Sequence, residues 1–458
     1  MLRTFTIIIG LQLLFAGGVV SQNMKQSADR GGRSDTPSDL LVLEEAIRIG
    51  LEHNFSIRIA RNQAEIAGNN RSIGNAGFLP LLSTTASRSR RIEDSKTSFS
   101  GNSIPDRDVD NAETTTTNAS ASLNWTIFDG LGMFTTYEKL TELEQLGEIR
   151  ARLTIENSIA QIITAYFNIV RQQKILDVLQ STLEISEQRI RIAETKRDLG
   201  SGSEYDLLQA RADYNADRAA VIRQEVFVND AMVLLNELLG RDIDQNFMVS
   251  NEIPVNRNLD YQQIVSTALA NNLELAVART DQRVSELELR EIEAERYPEL
   301  DLNLGYGYNL NESGAGFVEL NRSKGFNYGI TARIPLFDGF DVNRRLQNAR
   351  IELRNQELGI EEQRQQVRAD LNAEFNGYQN YLRLVRLEEE NLIYAQQSLE
   401  IALERFKLGT INSIELREAQ RTLIDAESRL IQARYQAKAA ETELLRLMGM
   451  VTDRRAGD

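Results

Sequence analysis

A mainly α-helical chain that also carries a membrane β-barrel portion is the fold class this sequence predicts, on three observations. The chain is written twice. Each half holds two strand-like segments whose apolar residues alternate with polar ones. Each half also holds a helical pattern of roughly 68 residues, about 100 Å at 1.5 Å per residue, followed after a glycine turn by a shorter helix.

The duplication comes from internal matches. Ile127-Phe128-Asp129-Gly130 recurs as Leu336-Phe337-Asp338-Gly339, 209 residues on, and Leu199-Gly200 recurs as Leu408-Gly409 at the same offset. Upstream the offset is 218, taking Asn54 to Asn272 and Pro80 to Pro298. The first half therefore carries a longer insertion between Pro80 and Phe128, where an exposed loop accommodates it.

The elements follow in order. Residues 1–21 read as a secretory signal peptide: Arg3, an apolar run through Ile7–Ile9 and Leu11–Phe15, then the small residues Ala16, Gly17 and Gly18. Residues 22–38 have too few apolar groups to order themselves. Residues 39–240 form a first structural repeat, 241–258 a linker, 259–450 a second repeat and 451–458 a tail. Each repeat opens with a helix, expected over 39–76 and 259–295, and Pro80 and Pro298 end the helical pattern because proline lacks the N–H and clashes with the preceding turn.

Alternation marks the strands. Leu300, Leu302, Leu304, Tyr306, Tyr308 and Leu310 alternate with Asp301, Asn303, Gly305, Gly307 and Asn309. Phe326, Tyr328, Ile330, Ala332 and Ile334 do likewise, as do Ala119, Ala121, Leu123, Trp125 and Ile127; the segment after Pro80 is weaker. One-sided strands of about ten residues suit a membrane barrel, although a soluble sheet would share the pattern. Four strands cannot close a barrel, and open edges are not tolerated in lipid. Each subunit of an oligomer should thus contribute four strands, giving eight from two subunits or twelve from three.

Long helical patterns are expected at 131–198 and 340–407, and shorter ones at 203–239 and 412–448. Two short helices stacked end to end would match one long one. Val385, Leu392, Leu399 and Phe406 fall seven apart, as do Leu176, Leu183 and Ile190, a spacing that marks coiled-coil-like packing.

Composition excludes several chemistries. Among 458 residues there are 67 Asp and Glu against 52 Lys and Arg, one His and no Cys. A net charge of −15 argues against nucleic-acid binding. Without Cys there is no thiolate, disulfide or Cys-based metal site. His53, the lone histidine, reads as a surface or packing residue. No cofactor and no enzymatic activity are expected, and Gly200-Ser201-Gly202 is a turn rather than a phosphate cradle, since no strand precedes it and no Lys follows.

The duplicated plan, Phe-Asp-Gly after a strand, Pro before each hairpin and the Arg405-Phe406-x-x-Gly409 turn together resemble the TolC-like outer-membrane efflux channels. The resemblance covers about residues 40–450. It implies a homotrimer with a shared 12-strand barrel in the outer membrane of a Gram-negative bacterium and a large periplasmic part built as an α-helical barrel. It further implies a passive exit duct of a tripartite pump or type I secretion system, docked on an inner-membrane transporter through a periplasmic adaptor (membrane fusion) protein. The hairpin tips, with Gly200, Gly202, Gly409 and Thr410, would form the periplasmic gate, and Glu415 and Glu418 would align with an acidic ring in the pore. Asp206 would sit where some members place a latch acid, yet the position of its basic partner is Ile411.

Local chemistry offers a second role for these acids. Ser203-x-x-Asp206 and Asn412-x-x-Glu415 have capping-box spacing, and acids in a first helical turn suit the dipole. Glu415 and Glu418 nonetheless share a helix face, and three copies would gather six carboxylates. Trp125, Tyr306, Tyr308, Phe326 and Tyr328 are candidate anchors at the interface of outer-membrane lipid, or ordinary strand aromatics. The alternative to a duct is a secreted or surface-attached coiled-coil protein such as an adhesin.

Overall fold

In a computed structural model, residues 40–98, 100, 106–314 and 318–452 are described. The signal peptide expected at 1–21, the unordered stretch at 22–38 and most of the 451–458 tail lie outside them.

Each half contributes a two-stranded β-hairpin and a long helical hairpin. In the first half, β1 (Leu40–Leu41), α1 (Leu43–His53) and α2 (Phe55–Asn70) lead into β2 (Leu81–Thr97) and β3 (Arg107–Asp129), then α3 (Gly132–Asp198) and α4 (Glu204–Leu239). In the second, β4 (Met248–Val249), α5 (Tyr261–Asn271) and α6 (Leu273–Ala294) precede β5 (Glu299–Ser313), β6 (Leu320–Arg333), α7 (Asp341–Lys407) and α8 (Ser413–Leu447). The two long helices, α3 and α7, are each 67 residues. The longer insertion of the first half lengthens strands as well as the loop, since β2 and β3 run to 17 and 23 residues against 15 and 14 in β5 and β6.

One expectation needs correction. The single helices expected at 39–76 and 259–295 are each broken, at Asn54 and Asn272. Within the linker 241–258, Met248 and Val249 pair in parallel with Leu40 and Leu41.

The breaks have a physical cause. Asn54 Oδ1 accepts a hydrogen bond from Ile57 N at 3.0 Å, capping α2, while its Nδ2 donates to Leu238 O at 2.7 Å at the end of α4. Asn272 repeats this, accepting from Leu275 N at 2.9 Å and donating to Leu447 O at 2.9 Å. One side chain thereby satisfies an orphan donor of one helix and an orphan carbonyl of another. Gly240 and Gly449 complete the joints with left-handed backbone (φ 65° and 67°), where a Cβ would lie 2.5 Å from His53 O and 2.8 Å from Asn271 O. The short helices α4 and α2 thus stack end to end along α3, and α8 and α6 along α7.

The apolar core is concentrated where these joints occur. Ile159, Ile162, Ile163, Tyr166, Ile169 and Val170 of α3 pack with Leu235 and Leu239 of α4. Val367, Leu371 and Tyr378 of α7 pack with Leu275, Leu444 and Leu447. Farther along α7 the seven-residue spacing is realised, with Val385, Leu399 and Phe406 buried and Leu392 packed against the cluster of Val385, Leu430 and Ala433. In α3 the seam differs: Leu176, Leu183 and Ile190 are half-buried, and Thr182, Ser186, Arg189 and Ala193 take the buried positions.

Phe-Asp-Gly is a strand-to-helix junction. Asp338 accepts from Phe340 N at 2.9 Å and Val342 N at 2.8 Å, capping the start of α7, and Gly339 and Phe340 both adopt positive φ. Gly130 and Leu131 repeat that backbone before α3, and a Cβ at Gly130 would lie 2.3 Å from Ala294 O.

Candidate functional site

Two regions bring the predicted residues together: the four-stranded sheet and the tips of the helical hairpins.

The sheet is antiparallel in the order β2-β3-β5-β6, so β2 and β6 are its edges. Register fixes its two faces, because side chains alternate along each strand. Leu82, Leu123, Leu304 and Tyr328 form one cross-strand row, and Thr84, Ala121, Tyr306 and Phe326 the next. Trp125, paired with Leu302, and Tyr308, paired with Ala119, fall on this same face, so all five predicted aromatics share it. The face is bare: Tyr306, Phe326, Tyr328 and Ile330 are 53–77% exposed. Trp125 is also exposed, and its Nε1 donates to Phe78 O at 2.9 Å. The opposite face carries mostly Ser, Thr, Asn and Gly, with Asp301 near the helices accepting from Thr126 Oγ1 at 2.8 Å. Ser83 meets Ser122 at 2.9 Å, and Thr116 donates to Asn311 at 3.0 Å.

At the tips, each long helix ends on a left-handed glycine, Gly200 (φ 75°) and Gly409 (φ 76°), which satisfies its last carbonyls. Gly200 N donates to Arg197 O at 2.9 Å, and Thr410 N donates to Arg405 O at 3.0 Å. Gly202 lies against Lys196, where a Cβ would be 2.9 Å from the lysine Cβ. The next helix starts at once with a capping box. Ser203 Oγ accepts from Asp206 N at 3.1 Å and donates to Asp206 Oδ2 at 2.7 Å. Asn412 Oδ1 accepts from Glu415 N at 3.0 Å, and Glu415 Oε1 accepts from Asn412 N at 3.4 Å. Asp206 and Glu415 are therefore engaged in caps. Glu418 is exposed on the same side of α8 as Glu415, with no side-chain partner among the described residues.

The sequence left open which residues join the two hairpins. Ile411 is half-buried and packs with Phe406 and Leu416, so it takes no part in a charged link. The links lie deeper. Arg417 of α8 makes two hydrogen bonds to Asp217 of α4, at 2.7 and 2.6 Å, and Ser186 Oγ of α3 donates to the same carboxylate at 2.5 Å. Arg189 of α3 is 1% exposed; it pairs with Asp213 at 3.0 Å and donates to Gln420 Oε1 of α8 at 3.1 Å. Hydrogen bonding to Asp217 holds the Arg417 guanidinium above its ordinary value, whereas burial pulls Arg189 below its own. At the end of the hairpins, Lys196 donates to Phe406 O at 2.7 Å and stands 4.3 Å over the Phe406 ring. The missed signal was the pair Asp213 and Asp217, four apart on α4, facing polar seam positions four and three apart on α3.

Among the described residues no group of His, Asp or Glu is arranged to hold a metal ion. No helix among the described residues is long and apolar enough to cross a membrane.

Comparison with known proteins agrees with this geometry. The profile of the outer membrane efflux protein family matches residues 46–241 and 264–450. The proteases secretion protein PrtF of Dickeya chrysanthemi is 22% identical, covering 86% of this chain and 85% of its own. Outer membrane protein TolC of Escherichia coli K12 is 22% identical over 72% of this chain and 68% of its own. The fold matches the Campylobacter jejuni CmeC outer membrane channel with a TM-score of 0.73, at 17% identity over 89% of this chain and 85% of that one. With an amphipathic four-strand sheet set on two long helical hairpins, and a family profile matched in both halves, the chain belongs to the outer membrane efflux protein family.

Proposed function

We propose that three copies of this chain close a 12-strand barrel in the outer membrane, continued into the periplasm by an α-helical barrel. The assembly is a passive exit duct and performs no reaction. The observation that carries this reading is the sheet: one exposed apolar face, one polar face uncharged from Asn303 to Asn311 and across the strands paired with it, and two edge strands, β2 and β6, each left with an unpaired side among the described residues. Lipid tolerates no open edge, and twelve strands close where four cannot. The names of the relatives point to protein secretion and efflux, so the duct would take its cargo from an inner-membrane transporter through a periplasmic adaptor. The signal peptide at 1–21 would direct export.

The hairpin tips would form the periplasmic end of the duct, with Gly200, Gly202, Gly409 and Thr410 shaping the turns. Glu418, exposed and unpartnered among the described residues, would face the pore with Glu415 beside it. Six carboxylates about one axis would favour cations. Recording currents from the purified protein in planar bilayers tests the reading. Stepwise cation-selective conductance is expected, and a protein that never conducts would contradict it.

A further inference from the structure

The exposed apolar face of the sheet ends in cations at the end remote from the helices. Arg88 (β2), Thr117 (β3), Leu310 (β5) and Arg322 (β6) form one cross-strand row on that face. Lys324 lies one row nearer the helices, opposite Tyr308. All three cations are exposed, and none makes an ion pair or hydrogen bond to another described residue. Their charged neighbours on this face are few. Arg90 is occupied by Glu113, and Glu312, one row farther out, reaches none of the three among the described residues.

The opposite face makes the contrast sharp. From Leu81 to Ser89, Thr116 to Asn124, Asn303 to Asn311 and Asn321 to Gly329, every residue pointing that way is uncharged. Over this stretch charge is kept off the polar face, which carries charges such as Arg91 and Asp301 only beyond it, while the apolar face places its cations at one edge. The apolar band from Leu300 to Leu310 spans ten residue steps, roughly 25 Å across a bilayer at the usual strand tilt. Arg88, Arg322 and Lys324 therefore stand where hydrocarbon gives way to headgroups, with stems long enough to reach outward from it.

In one chain the cations are divided between the two edge strands, three strand spacings or about 14 Å apart. Closing the barrel, on which this inference rests, sets β6 of one copy one spacing of about 4.8 Å from β2 of the next. Arg322 and Lys324 then gather with the neighbour's arginine at each seam, so the site is incomplete without a second copy.

The geometry points to a binding site for phosphate-bearing lipid of the outer leaflet at each seam between copies, formed by Arg322 and Lys324 of one chain and Arg88 of the next. Guanidinium forks suit phosphate oxygens, the ammonium adds a point charge, and the acyl chains would lie on Tyr306, Tyr308 and Phe326.

Native mass spectrometry of the full-length protein in detergent, titrated with lipid A or with phosphatidylcholine, tests this. Wild-type protein should prefer lipid A. Each Lys or Arg beside an anionic lipid surface is worth roughly five-fold in affinity, so the triple variant Arg88→Gln, Arg322→Gln, Lys324→Gln should lose on the order of a hundred-fold for lipid A. Phosphatidylcholine binding should not change. Arg88→Lys with Arg322→Lys, which keeps the charge, should retain most of the preference. Should the triple variant fail to assemble, each single Gln variant is expected to lose roughly five-fold. Equal lipid A affinity in wild-type and Gln variants would overturn the proposal, as would complete displacement of the lipid by inorganic phosphate. Both results leave a conducting trimer intact, whereas absence of trimer and conductance in the wild-type protein would overturn the barrel itself.

Discussion

Arg417 and Asp217 carry the most specific contact between the hairpins, two charge-assisted hydrogen bonds with Asp217 largely buried. Removing one partner of such a pair strands the other, at a cost of about 3–5 kcal/mol when burial is complete and less here, where Arg417 is 22% exposed. Arg417→Ala should therefore raise amide hydrogen exchange around 186–217 and 413–420 by roughly ten-fold or more. Adding Asp217→Ala should restore part of the protection; a double variant as labile as the single would refute the pairing. Glu415 and Glu418 separate the cap role from the pore role. Glu415→Gln removes a charge that the Asn412 cap shares and should fray the start of α8, costing about 0.5–1 kcal/mol. Glu418→Gln should leave stability unchanged and shift the reversal potential toward weaker cation preference. An unchanged reversal potential would remove Glu418 from the pore.

At the scale of elements, the matched lengths of the helices depend on two asparagines. Asn54 and Asn272 each cap one helix and bind the last turn of another. Replacing either with Ala should cost about 1–2 kcal/mol, and the two losses should add because the joints lie in different halves. Chemical denaturation of the single and double variants checks both statements. The recurrence of Asn54 at Asn272 was legible in the sequence, but its meaning was not. A helix break made by one side chain bridging to a helix some 180 residues away leaves no local signal. The strands were legible because Leu300 to Leu310 alternate without exception. The heptad of α7 was also legible, since its positions are apolar. The α3 seam was not, because Thr182, Ser186 and Arg189 are polar and are buried only through partners supplied by α4 and α8. Local spacing foretold both capping boxes; a contact between separate helices could not be read from either one alone.

The whole molecule carries its net charge of −15 mostly on its helices, and some acids are held against their preference. Burial, with Glu443 and Asp370 nearby, pushes the Glu374 carboxyl above its ordinary value of 4.5. The folded chain thus binds this proton more tightly than the unfolded chain, and stability from this group falls as pH rises through the elevated value. Glu374→Gln should accordingly unfold at a higher temperature than wild type near pH 7, with the difference vanishing as pH falls below about 4.5. A constant difference across that range would show that Glu374 is not the source. Two halves, each unable to bury its strands alone, meet in one sheet that still has two open edges among the described residues. Closure by identical copies is the central claim, and the mass of the detergent-solubilised particle tests it most directly. Native mass spectrometry should give a protein mass of three chains, with no other assembly dominant. A particle of one or two chains, or one that stays dispersed without detergent, would contradict a barrel shared by three.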